Sequence, residues 1–396
     1  MILEIIIAII LGVFSGTLTG LIPGLHINLV AIFILSLSTL KSFPTALVVF
    51  IVALSITHTF IDFIPSIFLG AASEDTSLSI LPGHKFLLQG EGEKALRLTL
   101  LGSSIAIFVL LIIIPIFFLT LNFSYPFIQR MMGWILIMVI LFLFHNEENK
   151  KWSLIIFFLA GVLGTITLNS NTTAPLLPLL TGLFGSSTLI NSISQKTKIP
   201  KQKSCKFKIQ KKDLIKPTLL TTLISPVCSF LPGLGSSQAA ILATRFSKKT
   251  STEEFLILQG SINTLVIATS FITYYLIGKT RTGSAAAISE ITTLTPSLLF
   301  IIILTIVISA AISYPLTLFL TRTIAKRIHK ANYFYISASI LVFLTSAVIF
   351  FTGFSGLLIY STATSLGLLT IKAQVRKSHL MGAILIPTTL FYLAIL

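Results

Sequence analysis

Residues 16–31 read GTLTGLIPGLHINLVA, and residues 225–243 read SPVCSFLPGLGSSQAAILA. Overlaying Pro23 on Pro232 aligns Ile22, Pro23, Gly24 and Leu25 with Leu231, Pro232, Gly233 and Leu234, about half a chain apart. Both stretches are apolar, and a Pro-Gly pair interrupts a helix: proline removes a backbone donor and glycine favours no one backbone region. Inside a membrane such an interruption survives only where protein or a polar cavity satisfies the freed groups. Two interrupted segments at matching places in two halves are the mark of a secondary transporter with its site at the breaks.

The composition supports that setting. The chain is 54% hydrophobic and 10% charged, with a mean hydropathy of +0.98. Soluble domains carry roughly 25% charged residues. Residues 98–121, 126–144, 152–168, 293–321, 333–351 and 379–396 are long and apolar enough to be read as membrane spans. With the interrupted segments, the reading is an all-α polytopic membrane protein of about ten to twelve embedded segments. The run at residues 5–14 has no basic residues before it and carries Glu4, so it reads as the first membrane helix and not a cleaved signal.

A net charge of +16 raises the question of nucleic acid, but its location answers it. Lysine and arginine gather in short loops, where the positive-inside bias puts them. The densest run, QKTKIPKQKSCKFKIQKKDLIK at residues 195–216, holds nine lysines against one aspartate. It reads as a cytoplasmic linker beside anionic headgroups. It divides a first transmembrane repeat, residues 1–194, from a second, residues 217–396. The loops around Arg322 and Lys330 and around Lys372 and Lys377 belong on the same side, with spans near 331–352 and 354–371 forming a hairpin between them. An odd number of crossings per half would invert the second repeat relative to the first, and inversion is the expectation. Cys205 and Cys228 form neither a metal-ligand spacing nor a disulfide framework.

Two segments are poor membrane helices by composition: residues 55–92, SITHTFIDFIPSIFLGAASEDTSLSILPGHKFLLQGEG, and residues 259–290, QGSINTLVIATSFITYYLIGKTRTGSAAAISE. Their Ser, Thr, Asn and ionisable residues suit re-entrant hairpins or discontinuous helices lining a cavity.

A helix restarting after Gly24 or Gly233 offers unpaired N–H groups and the positive end of a dipole, which suits a carboxylate or phosphate. His26 and Asn28 follow the first break; Gly235, Ser236, Ser237 and Gln238 follow the second. The plain alternative is two proline kinks filled by neighbouring helices, and it is the matched pair with polar residues beyond it that favours a site. His58 and Asp62, four apart, share a face if this stretch is helical. A buried acid in a membrane is a functional candidate by default, so Asp62 and Glu74 are the candidates for coupling a cation. Surface placement competes with that role for Glu74 and Asp75, whereas Asp62 sits among Phe60, Ile61, Phe63 and Ile64. Asn263 and Thr264 can line the same cavity or simply bond a neighbouring helix. Lys279 and Arg281 can meet a substrate anion, with an interfacial loop as the alternative. No HExxH, GxSxG or GxxxxGK[ST] pattern occurs, so an enzyme or ATP-driven pump is disfavoured.

At these residues the chain resembles the large permease subunit (TctA) family of tripartite tricarboxylate transporters, in a compact form similar to its short archaeal branch. GTLTGLIPGL resembles the family's glycine-rich first motif, PGHKFLLQGEGEKALRLTLLGSS (residues 82–104) its cytoplasmic turn into a helix, and SFLPGLGSSQAAILA its second Pro-Gly motif. QGSIN, residues 259–263, occupies the place of a further polar block. The departures are local. His26, Ile27 and Asn28 stand where the family usually has Gly-Pro. In SITHTFIDFIPSIFLGAASE only Glu74 clearly matches, and IGKTRTGSAAAI lacks a Pro-Gly.

The resemblance implies cation-coupled import with a small membrane subunit and an extracytoplasmic solute-binding protein. The combined expectation is a multi-pass carrier of the cell membrane, moving a small organic anion such as a carboxylate by alternating access. Pro23, Gly24, His26, Asn28, Pro232, Gly233, Gly235, Ser236, Ser237, Gln238 and Asn263 would bind substrate; Asp62 or Glu74 would couple Na+ or H+. No other cofactor, metal or nucleic acid is expected, the lipid bilayer is the surrounding partner, and a homo-oligomer is left open. Two rivals stand beside it: a carrier of a lipid-linked polyprenyl phosphate, and an intramembrane lipid-modifying enzyme that needs His58, Asp62 and Glu74 to converge.

Overall fold

The structure is a computed structural model that describes residues 2–22, 43–70, 76, 80–144, 147, 149–194, 199–203, 209–229, 236–245, 250–330 and 332–394. Among the described residues every regular element is a helix, and eight helices are long and apolar enough to cross a membrane. The chain is a multi-pass α-helical membrane protein.

The first half runs through α1 (Ile2–Leu21), α2 (Pro44–Ile61), α3 (Phe63–Leu69), α4 (Ile80–Leu88), α5 (Gly92–Arg130), α6 (Met132–Phe144), α7 (Lys150–Leu168) and α8 (Leu176–Ser194). The second runs through α9 (Lys212–Cys228), α10 (Ser236–Arg245), α11 (Thr252–Ile277), α12 (Gly283–Ile291), α13 (Pro296–Ile328), α14 (Tyr333–Lys372), a 3-10 turn (Lys377–Met381) and α15 (Gly382–Tyr392). The order of lengths recurs. Spans of 26 residues, Pro44–Leu69 and Thr252–Ile277, lie in the middle of each half. Each ends at a left-handed glycine, Gly70 (φ 65°) and Gly278 (φ 64°). A nine-residue helix follows each, then a long one.

Local chemistry sets the ends. Pro44 and Pro296 occupy first-turn positions where a missing N–H costs nothing. A reciprocal capping box opens α11: Ser251 Oγ accepts from Glu254 N at 3.1 Å, and Glu254 Oε2 accepts from Ser251 N at 2.7 Å. Thr282, Thr295 and Asn332 cap α12, α13 and α14 through their side-chain oxygens.

The two central spans are almost wholly buried, and the other helices wrap them in an exchanged pattern. Within its own half, α1 lies along α2 and α9 along α11. Between halves, α5 lies along α11 and α13 along α2. Small residues let the backbones close. On α1, Gly12, Gly16 and Gly20 form a small-xxx-small stripe against α2; a Cβ on Gly16 would sit 2.5 Å from the Leu54 carbonyl oxygen. On the α5–α11 crossing the glycines are mutual: a Cβ on Gly102 would run into the Ile257 carbonyl oxygen, and one on Gly260 into the Thr99 carbonyl oxygen. A second apolar body joins α6, α7, α8, the later part of α14 and α15, with α7 on α15 and α8 on α14. Outward side chains such as Phe108, Leu119, Phe123 and Phe350 are exposed, as lipid contact requires.

The structure corrects three expectations. Residues 259–277 do not form a re-entrant segment; they belong to the uninterrupted α11, and the discontinuity falls at Gly278. Their hydroxyls bond carbonyls of the preceding turn, as in Ser261 to Ile257 O and Thr269 to Leu265 O, both 2.7 Å, and the helix is shielded from lipid by protein. Residues 126–144 are split, since α5 runs to Arg130 before α6 begins. Among the described residues, 379–394 do not form a span: α15 has 11 residues behind a 3-10 turn.

The hairpin expected around residue 353 is present. Gly353 adopts φ 65° and ψ −157°, a region open essentially to glycine alone. Thr345 Oγ1 and Tyr360 Oη lie 3.2 Å apart across it, which a straight helix of that length forbids. α14 is therefore two limbs, 333–352 and 354–372.

Candidate functional site

The two central spans meet at a buried polar seam. Pro65 cannot donate to the Ile61 carbonyl four residues back, so the span from Pro44 to Leu69 breaks at Asp62. Asp62 does not cap the following helix with its side chain. Its Oδ2 instead accepts a hydrogen bond from Asn263 Nδ2 of α11 at 2.9 Å. The bond crosses between halves, with Asp62 4% and Asn263 0% exposed. One turn earlier, His58 Nε2 stands 4.0 Å from Asp62 Oδ2, while His58 Nδ1 lies 3.0 Å from Thr19 Oγ1 of α1. Thr59 Oγ1 meets Thr264 Oγ1 at 3.1 Å, again across halves. Ser313 Oγ of α13 lies 2.9 Å from Thr57 Oγ1, within hydrogen-bond distance. Burying an ion among apolar helices is expensive unless it is hydrogen-bonded, and Asp62 has this seam to sustain it.

A second set of charges ties the halves together at one end of the bundle. Glu93, at the start of α5 and buried, holds Arg97 at 2.6 Å and Arg322, near the end of α13, at 3.4 Å. Lys94 reaches Glu253 of α11 at 2.6 Å, and Lys216 of α9 reaches Glu254 at 3.4 Å. Part of the basic run joins this end. Gln202 Oε1 accepts from Gly92 N at 2.9 Å, its Nε2 donates to Leu87 O at 3.1 Å, and Lys203 N donates to Gly90 O at 2.8 Å. In α4, burial pushes the His84 imidazole down from its ordinary range, opposed by the nearby Ile67 carbonyl.

A third group lies in the second body, after the last limb of α14. Lys377 Nζ bonds Thr188 Oγ1 of α8. Glu147 Oε1 is 3.2 Å from Arg376 and 3.4 Å from His379 Nε2. Burial depresses the Lys377 amine to about 8. It also lowers the His379 imidazole, against the pull of Glu147.

Of the residues singled out in sequence, the structure brings together Asp62 and Asn263, with His58 on the shared face foreseen from its spacing. Ser236 is buried as the first residue of α10, so the second break ends in a helix start there. Ser237 and Gln238 continue α10, and their side chains lie outside the description. Pro23, Gly24, His26, Asn28, Glu74, Pro232, Gly233 and Gly235 lie outside the described residues. α1 does end immediately before the first break, at Leu21. Lys279 and Arg281 sit in the short connection between α11 and α12. Sequence reading missed Thr19, Thr59 and Ser313. Thr19 was accessible in principle, because it neighbours Gly20 of the glycine stripe that fixes which face of α1 meets α2.

The described residues thus form a polytopic helical membrane bundle with a buried carboxylate bridged between its halves. The chain belongs to the tripartite tricarboxylate transporter TctA family, whose profile matches residues 6–382. It is a transport protein and not an enzyme. It is similar to an uncharacterized protein of Methanocaldococcus jannaschii, 31% identical over 356 residues, which cover 87% of this chain and 88% of that protein. No solved structure matches it.

Proposed function

We propose that this chain is the membrane permease of a secondary active carrier that moves a small organic anion, such as a carboxylate, by alternating access between two inverted repeats. The single observation that carries the reading is the Asp62–Asn263 hydrogen bond. It joins the central spans of the two halves through a buried ionisable group. A purely structural contact gains little from a buried carboxylate there, because matched apolar side chains serve as well or better.

Inversion is supported by which ends meet. Arg322, late in α13, contacts Glu93, early in its counterpart α5. Glu253 and Glu254 open α11 at that same end. The close of the other central span is there too, with Phe68 beside Gly92. These contacts favour opposite directions for the counterpart helices, and the basic residues gathered there favour this as the cytoplasmic side. The substrate anion is held at the two Pro-Gly breaks, whose helix starts offer N–H groups, with Asn28, Ser236, Ser237 and Gln238 beside them. Asp62 binds the coupling cation. The protein resides in the cell membrane and works with a small membrane subunit and an extracytoplasmic binding protein, as the family name suggests.

A thermal-shift screen of the purified protein tests the cargo. Di- and tricarboxylates, amino acids and prenyl phosphates are compared in sodium and potassium buffers. A carboxylate at a hundredfold excess over its Kd stabilises by about 2.7 kcal/mol. Stabilisation by prenyl phosphates alone would transfer the reading to a lipid-linked cargo. Replacing Gly24 or Gly233 by leucine should remove the carboxylate shift without removing the protein from the membrane.

A further inference from the structure

We propose that the turn at residues 376–379 and the facing end of α8 form a binding site for the phosphate of an anionic phospholipid, with Lys377 as its principal contact.

The amine of Lys377 carries the inference. An ammonium group has three hydrogens to donate and no lone pair to accept with. Lys377 Nζ donates one to Thr188 Oγ1 of α8, itself buried. Among the described residues no carboxylate pairs with the amine. Glu147, the acid of this group, is held by Arg376 at 3.2 Å and stands 3.4 Å from His379 Nε2. Glu148 lies outside the described residues. His379 is fully buried, and its Nδ1 has no hydrogen-bond partner among the described residues. Burying a cation without a counter-charge is expensive, and burial holds the Lys377 amine down at about 8. Phosphate oxygens would accept the remaining N–H groups and supply the missing charge.

The group stands at headgroup level. Limbs 333–352 and 354–372 of α14 run out and back, so Lys372 returns to the end where α13 closes with Lys326 and Arg327. The 3-10 turn packs on α7, whose first residues are the exposed Lys150 and Lys151. Lys372 is exposed as well, and the Arg376 side chain is 51% exposed. The other elements of this body, α6, α8 and α15, bring no charged side chain. Lys150, Lys151, Lys372, Arg376 and Lys377 thus gather against one described carboxylate. Trp152, in the first turn of α7 and exposed, is a side chain favoured at the membrane–water interface. Basic pockets between membrane helices are a known form of headgroup site.

The neighbouring surface selects a lipid over free phosphate, which has the same oxygens but no acyl chains. From the basic end of α7, Leu154, Ile155, Phe158, Leu159 and Val162 run along its exposed side. Chains attached to a phosphate at Lys377 would lie against that apolar strip.

The test uses the whole chain, purified in detergent and stripped of lipid. Native mass spectrometry and thermal melts compare dioleoylphosphatidylglycerol, dioleoylphosphatidylcholine and sodium phosphate at equal concentration. Phosphatidylglycerol should form a one-to-one adduct and raise the melting temperature. Phosphatidylcholine, whose choline cation the lysines repel, and sodium phosphate should do neither. Lys377→Gln should weaken phosphatidylglycerol binding about tenfold, whereas Lys330→Gln, which removes an exposed cation elsewhere, should leave it within about twofold. Should Lys377→Gln fail to fold, the 13C-methylated lysines of the wild-type protein report instead. The amine that titrates near 8 should titrate about one unit or more higher once the anionic lipid is bound. Binding indifferent to Lys377, equal losses in the two variants, or an amine unmoved by the lipid would each overturn the proposal. So would phosphatidylcholine or sodium phosphate binding as tightly as phosphatidylglycerol. None of these outcomes touches the organic-anion reading, which rests on the central seam.

Discussion

Asp62 is the residue on which the account turns, and its environment fixes what substitution does. Removing the charge in Asp62→Asn keeps the size of the side chain and should cut gradient-driven uptake by about tenfold or more, with the protein still folded. Asn263→Leu removes a donor from a buried carboxylate and should cost about 1.5–3 kcal/mol, read as a lowered melting temperature. Pairing it with Asp62→Leu should recover most of that stability while transport stays lost, since an apolar pair replaces a buried ion without its desolvation cost. This residue was legible in sequence because an acid flanked by Phe60, Ile61, Phe63 and Ile64 has few cheap places to be. Its partner's bond was not, because Asn263 lies in the other half and only the exchanged packing of α5 and α13 brings the central spans together.

Among the elements, glycine decides how closely helices approach. Gly102→Leu should destabilise by about 1–3 kcal/mol or block assembly of the α5–α11 crossing, because even its Cβ meets the Ile257 carbonyl. Gly278→Ala has open space around it and a positive φ, so its cost should be only about 1 kcal/mol. Comparing the two melting temperatures separates contact from backbone strain. The turn holding Lys377 and His379 supplies a pH signature. The Lys377 amine is depressed to about 8 from 10.5, so between those values the unfolded chain binds more protons than the folded one. Stability should rise as pH climbs from about 8 towards 10, and Lys377→Met should flatten that rise in thermal melts. His379 is lowered too, so acidification below its ordinary range should destabilise the same turn. The long helices and the hairpin at Gly353 were readable from apolar runs and from basic loops on either side. Composition misled at residues 259–277, where polar side chains mark contact with protein and not a departure from helix.

For the whole molecule, the likeness of the two Pro-Gly motifs was visible in sequence, while the exchange of helices between halves was not. A sequence records which segments are alike, but the choice of neighbour depends on backbone approach at places such as Gly102 and Gly260. The exchange produces a central seam shared by both halves, and inter-half ion pairs at Glu93–Arg322 and Lys94–Glu253 at one end. Those pairs hold the two halves together at that end. They are partly exposed and should weaken with salt, so opening of that end should become easier as ionic strength rises. The direct measurement of the central claim is uptake of the anion found by the stability screen into proteoliposomes, with and without an imposed cation gradient. The account predicts accumulation that follows the gradient in the wild-type protein and collapses in Asp62→Asn. Equal accumulation by both proteins, indifferent to the gradient, would contradict it.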